Sequence, residues 1–270
     1  MIATLQPTGV LKIGANDLEY RHIGPEPSET PTLVMLHEGL GSVGLWGEFP
    51  EQLAAATGVG VFAYSRAGYG SSTPVTLPRP LSYMHTEALE VLPKLLEAIG
   101  FRRGLLIGHS DGASIAAIYA GGVQDHRVRG LSLIAPHFIV EDISVTSIAG
   151  IKTAYETTNL REKLARWHRD VDNAFYGWNG AWGDPLFRSW DISEYLAYIR
   201  VPVAIIQGAD DQYGTLRQVE IAQEECYCPV DVTMLEAGHS PHREAPGATL
   251  NAIADFANAV LRTHDEGRAA

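Results

Sequence analysis

A chain of 270 residues, 46% of them apolar, is long enough for one large α/β domain or two small ones and too apolar for a disordered tail protein. Its net charge of -12 argues against nucleic acid and anionic membrane surfaces as partners, because both select basic patches. Residues Met1 to Val10 lack the basic start and long apolar stretch of a signal peptide, and no apolar run approaches the ~20 residues of a membrane span, so a cytoplasmic protein is expected.

In chain order, Val10 to Ile23 alternates in polarity around Gly14, Asn16 and Asp17 and reads as a hairpin. Thr32 to Leu36, Val59 to Tyr64, Gly104 to Ile107, Gly130 to Ile134, Val201 to Ile206 and Asp231 to Leu235 read as strands. Most are continuously apolar, as strands covered on both faces of a parallel sheet are. Between them Leu45 to Ala56, Ser82 to Ile99, Asp111 to Ala120, Leu216 to Glu225 and Ala248 to Leu261 read as helices. The last keeps Leu250, Ile253, Ala254, Ala257, Val260 and Leu261 on one face. Strands and helices alternating in this way imply an α/β sheet.

One stretch breaks the rhythm. From Phe138 to Ile199 the pattern is helical, with no strand-like run, and it holds Trp167, Trp178, Trp182 and Trp190. About sixty residues is too long for a plain loop, so 138–199 is expected to be a small helical lid inserted into a core made of 1–137 and 200–270. Its tryptophans are first of all packing for a lid with little other core, and one or two are expected to reach a pocket. Cys226 and Cys228 read as two reduced thiols, with a local disulfide or part of a metal site as the alternatives.

Chemistry enters at Gly108-His109-Ser110-Asp111-Gly112, between an apolar strand and a helix. A serine between two glycines in that setting reads as a nucleophile elbow, where a strained turn pushes the hydroxyl out of the sheet. The flanking positions want no Cβ because strand and helix pass closely there. A serine at neutral pH needs a base, and the base needs a carboxylate to fix its tautomer. Asp210 and Asp211 follow one strand, and His239 follows the next. The order Ser, Asp, His along the chain is that of the α/β hydrolases.

These blocks, together with His37-Glu38-Gly39-Leu40-Gly41-Ser42 and Ser65-Arg66-Ala67-Gly68-Tyr69-Gly70-Ser71-Ser72, make the chain resemble the α/β-hydrolase superfamily over nearly its whole length. The resemblance implies a mostly parallel central sheet with helices on both faces and a lid between strands six and seven. It implies Ser110 as nucleophile, His239 as base and Asp211, rather than Asp210, as the acid. The oxyanion would be held by the backbone N–H groups of Asp111 and of Gly39 or Leu40. Two positions depart from the family pattern. Glu38 stands where glycine is common, and is expected to point away or to form a salt bridge, Arg66 being one candidate partner. Asp111 stands where an apolar residue is usual, and its side chain could hold a nearby histidine.

The function implied is hydrolysis of a small carboxylic ester, thioester or lactone through an acyl-enzyme. Trp178, Trp182 and His137 are expected to contact a hydrophobic or aromatic acyl group. No cofactor and no metal are expected: a zinc site on His37, His109 and His137 lacks the ligand spacing. Alternatives are a C–C bond hydrolase of aromatic ring-cleavage products and a non-catalytic small-ligand receptor. Ser240 after His239, where ring-cleavage enzymes usually carry tryptophan, weighs against the first. The chain is expected as a monomer or homodimer. His242, three residues past His239, is expected to steady Asp211 or His239.

Overall fold

The structure, a computed structural model, describes residues 4–266, with side chains described to 262. The strands are β1 (Thr8–Ile13), β2 (Asn16–Ile23), β3 (Thr32–Leu36), β4 (Gly60–Tyr64), β5 (Gly104–His109), β6 (Val128–Ile134), β7 (Val203–Gly208) and β8 (Val230–Leu235). The helices are α1 (Phe49–Thr57), α2 (Tyr83–Thr86), α3 (Leu92–Ala98), α4 (Asp111–Gly122), α5 (Asp142–Thr157), α6 (Leu160–Leu164), α7 (Val171–Trp182), α8 (Ser193–Leu196), α9 (Arg217–Glu225), α10 (Pro241–Glu244) and α11 (Pro246–Glu266).

All eight strands form one sheet in the order β1-β2-β4-β3-β5-β6-β7-β8. The hairpin β1–β2 is antiparallel, and β2 joins β4 antiparallel. From β4 to β8 every neighbouring pair is parallel. The central strands are buried on both faces, which explains their unbroken apolar runs. Successive residues still part to opposite sides. Leu33, Met35, Leu105 and Ile107 join Leu53 of α1 and Ile253 and Ala257 of α11. Val34, Leu36 and Leu106 join Leu95 of α3 and Ile115 of α4 on the other face. Alternation across the pleat thus feeds two cores from one sheet.

Two helices depart from the sequence reading. The expected helix at Leu45 to Ala56 is split: Val43–Trp46 is a 3-10 turn, and α1 begins after Gly47, whose φ of 60° no helix accommodates. The stretch from Ser82 to Ile99 contains a π-helical turn at Glu87–Val91 between α2 and α3. Pro93 explains it, because the ring lacks an N–H and would meet the carbonyl of Leu89 in a continuous α-helix.

Between β6 and β7 lie α5 to α8 and a 3-10 turn at Pro185–Ser189. The two ends of this segment meet: Ile139 bridges Asp191, and the Ile192 N–H donates to the Phe138 carbonyl at 2.8 Å. Inside it, Tyr155 stacks on Phe175 with ring centres 3.6 Å apart, and Trp182, Phe187 and Trp190 pack together. Trp167 is the exception at 44% exposure. Cys226 and Cys228 are free thiols. Among the described residues, no helix is long and apolar enough to cross a membrane.

Candidate active site

Strand β5 ends at His109 and α4 starts at Asp111, so Ser110 alone makes the turn. Its backbone sits at φ 53° and ψ -118°, a conformation that costs a residue with a Cβ of order 1–3 kcal/mol. The Ser110 N–H is anchored to the Ile134 carbonyl at 2.9 Å. A Cβ on Gly108 would overlap the backbone of Gly112 and Ala113, and one on Gly112 would overlap the Leu36 and His37 carbonyls. The two glycines let α4 pass close to β5 and β3, which is what holds the strained turn.

The ends of β7 and β8 bring the partners. The Ser110 hydroxyl lies 2.9 Å from His239 Nε2, and His239 Nδ1 lies 2.9 Å from both Asp211 oxygens. Asp211 also accepts from the Gln207 side chain at 2.9 Å and from the N–H groups of Tyr213 and Gly214. Burial acts to raise its carboxyl, but the His239 contact, the Tyr213 N–H and Gln207 outweigh it and hold it down at about 2. Asp210 is exposed and makes no side-chain contact with His239 among the described residues. The His239 loop is fixed from three sides. His109 Nε2 donates to the His239 carbonyl at 2.7 Å, Gln212 accepts from the His239 N–H, and Glu244 accepts from the Gly238 N–H at 2.7 Å.

Across from this line lies the loop after β3. Among the described residues, nothing accepts from the backbone N–H groups of Gly39, Leu40 or Asp111. The loop is held by its other groups. His37 Nδ1–H donates to the Glu38 carbonyl while Nε2 accepts from the Arg66 N–H, which fixes one neutral tautomer. Burial lowers His37 well below the usual histidine range, in keeping with that neutral form. The buried Arg66 guanidinium donates to the carbonyls of His37 and Glu38. His168 donates to the Leu40 carbonyl at 3.0 Å.

Three side chains are placed otherwise than the sequence suggests. Arg66 takes the Glu38 carbonyl rather than its carboxylate, which faces His109 Nδ1 at 3.5 Å and Arg243 at 3.9 Å. The Arg66 guanidinium is taken up by the loop carbonyls of His37 and Glu38. Asp111 holds no histidine. Its carboxylate accepts from the Tyr83 hydroxyl at 2.5 Å and Trp182 Nε1 at 3.2 Å. His242 contacts neither Asp211 nor a His239 nitrogen through a hydrogen bond. It is buried in α10 against Trp46, Phe49 and His109, and both its ring nitrogens lack a partner among the described residues.

Ser110 opens into a cavity of about 210 Å³. Leu40, Ile148, Trp178, Trp182 and Tyr213 give it apolar walls, while Glu38, His137 and His239 add polar edges. The His137 ring lies 5.2 Å from Trp182 and 5.4 Å from His239, centre to centre, and burial and the nearby His239 push its imidazole down to about 3. Trp178 and Trp182, both on α7, therefore reach the cavity from the inserted segment. Among the described residues, no group of three or more His, Cys, Asp or Glu side chains is arranged to hold a metal ion.

Gln207, Gln212 and Glu244 escaped the sequence reading. Only Gln207, one polar residue at the end of an apolar strand beside Asp211, left a signal that could have marked it.

Residues 33–253 match the Alpha/beta hydrolase family. The chain belongs to that family. This α/β hydrolase is 25% identical over 230 residues to a proline iminopeptidase of Lactobacillus helveticus, covering 71% of this chain and 78% of that one. It is 25% identical over 219 residues to a 2-hydroxy-6-oxo-6-phenylhexa-2,4-dienoate hydrolase of Comamonas testosteroni, covering 71% and 75%. Its fold superposes on an enol-lactonase from Burkholderia xenovorans with a TM-score of 0.73 at 18% identity, over 92% of this chain and 99% of the other. The hydrolase fold and hydrolase class follow; the bond cleaved does not.

Proposed function

We propose that this α/β hydrolase is a serine hydrolase acting on a small carboxylic ester, thioester or lactone, with residues 138–199 as the cap over its site. The observation that carries the reading is the unbroken line from Asp211 through His239 to the Ser110 hydroxyl, each link 2.9 Å long. In this reading His239 takes the Ser110 proton as the hydroxyl attacks the carbonyl carbon. It then protonates the leaving alcohol or thiol, and activates water to hydrolyse the acyl-enzyme. Asp211 keeps the Nδ1–H tautomer and stabilises the imidazolium. The N–H groups of Asp111 and of Gly39 or Leu40 hold the oxyanion.

The cavity limits the acyl group. A cavity of ~150 Å³ takes up benzene, so about 210 Å³ suits an aromatic ring with a few further atoms or a short branched chain. Its carboxylates weigh against a substrate with a free amino terminus, such as an aminopeptidase takes. A charged amine on a peptide substrate would call for an unpaired carboxylate, whereas Glu38 faces His109 and Arg243, and Asp111 is taken by Tyr83 and Trp182. The test is turnover of p-nitrophenyl acetate and benzoate beside prolyl p-nitroanilide. The expected result is burst release of nitrophenol with both esters and little anilide cleavage. Anilide cleavage faster than ester cleavage would replace this reading with a peptidase.

A further inference from the structure

Helix α7 carries Trp178 and Trp182 four residues apart, so both fall on one face. Each meets a different residue to which the serine-hydrolase reading gives an oxyanion N–H. The Trp178 indole fills the space over Gly39 that a Cβ would occupy. Trp182 Nε1–H donates to Asp111 Oδ1 at 3.2 Å and to the Tyr83 hydroxyl at 3.1 Å, and that hydroxyl donates to Asp111 Oδ2. The Asp111 carboxylate is fully buried within reach of the Arg66 charge. Arg66 in turn donates to the carbonyls of His37 and Glu38, the two residues before Gly39.

Two contacts therefore leave α7, one to each donor residue. One runs from Trp178 directly to Gly39. The other runs from Trp182 to the carboxylate of Asp111, a buried charge in the field of the Arg66 guanidinium, which itself holds the backbone entering Gly39. We propose that α7 sets the geometry of the oxyanion hole: Trp178, Trp182 and the Asp111 side chain are positioning residues that hold the N–H groups of Gly39 and Asp111 at the separation a tetrahedral intermediate needs.

The physical case is that the two donors sit on segments joined by no strand ladder at that point. Donors act on an oxyanion only from about 2.7–3.1 Å, so the close approach of Gly112 to Leu36 and His37 needs side-chain packing beyond the ladder to complete their spacing. A wall that merely shaped the cavity would need no buried carboxylate, since apolar side chains fill space without the desolvation a charge brings. Asp111 gives Trp182 and Tyr83 a fixed acceptor and gives Arg66 a counter-charge. An apolar residue would leave all three without it. In this way the position of the inserted segment and the power of the site become one variable.

The inference rests on the serine-hydrolase reading, and the test separates the two. Trp182→Phe keeps the bulk of the ring and loses the N–H. Its kcat for p-nitrophenyl acetate is expected to fall about 10- to 100-fold with KM changed less than about 3-fold. Affinity for phenyl trifluoromethyl ketone, which Ser110 converts to a hemiketal oxyanion, should fall by the same factor, while affinity for unreactive acetophenone holds. A raised KM at constant kcat, or equal losses for both ketones, would overturn the inference and make the tryptophans plain walls. Gly39→Ala gives a second arm should Trp182→Phe fail to fold. Its loss of kcat and that of Trp178→Ala should not add in the double variant, because they disturb one contact. Additive losses would overturn the inference. If the unaltered protein neither turns over the ester nor binds the trifluoromethyl ketone, the serine-hydrolase reading falls and takes the inference with it. An active protein with indifferent variants defeats the inference alone.

Discussion

The rim of the sheet and the helical segment 138–199 face one cavity but are built by opposite means. On the rim, Ser110, Asp211 and His239 each follow a strand of the sheet, and parallel neighbours deliver them to one edge. Backbone topology places them, and hydrogen bonds to backbone N–H and carbonyl groups finish the alignment. In the segment, backbone bonds tie its two ends and Arg169 to the core, but over the cavity placement comes from side chains: Trp178 against Gly39, Trp182 against Asp111. The lesson is that the candidate centre is fixed by chain order, while the wall opposite it depends on packing. Changes on the rim should therefore cost rate with little stability, and changes in the segment should cost both.

The largest expected effect is on the rim. Ser110→Ala and His239→Ala should each lower kcat about 10⁵-fold, and the double variant should be scarcely worse, because the groups act as a unit. Initial rates on a nitrophenyl ester measure it, and multiplicative losses would break the rim picture. Next comes the acid. Asp211→Asn should cost roughly 10²- to 10⁴-fold, by favouring the wrong imidazole tautomer, while Asp210→Asn should stay within about 2-fold. A reversed pair would move the role to Asp210.

Stability sharpens the segment side. Trp182→Ala should cost about 3–5 kcal/mol in urea unfolding, and Trp167→Ala, at 44% exposure, within about 0.5 kcal/mol. Equal costs would mean the segment is not packed around Trp182.

The smallest effect concerns pH. Burial, with the neighbouring His109, pushes His242 down to about 3; Arg243 and His239 act the same way and Glu38 opposes them. Its folded value lies below the ~6.5 of an unfolded histidine, so the unfolded chain takes up the proton first. The stability tied to the neutral ring is thus present above about pH 6.5 and lost as pH falls toward 3. His242→Phe should flatten the fall in unfolding free energy from urea titrations between pH 7 and 5, by about 1–2 kcal/mol at the acid end. An unchanged slope would place the acid sensitivity elsewhere, with His137 the next candidate.

Much of this molecule is legible in its sequence, and the division follows the same line. Strands buried on both faces write unbroken apolar runs, and residues at their ends inherit a place, so Ser110 and the Asp210-Asp211 pair stand out, while His239 follows the half-exposed edge strand β8 and stands out by its order after them. The split before α1 needed only Gly47, and the π-turn only Pro93, yet both sit inside helical periodicity that masks them. Contacts between distant side chains leave no periodic trace. Nothing in the sequence joins Asp111 to Trp182, 71 residues apart, or turns the Glu38 carboxylate toward His109 rather than Arg66.

The most direct test of the central claim is peptide mapping by mass spectrometry after treatment with an alkyl fluorophosphonate. The account predicts one adduct per chain, on the peptide carrying Ser110, with labelling sharply slowed in His239→Ala. No adduct, or an adduct on any other residue, would contradict it.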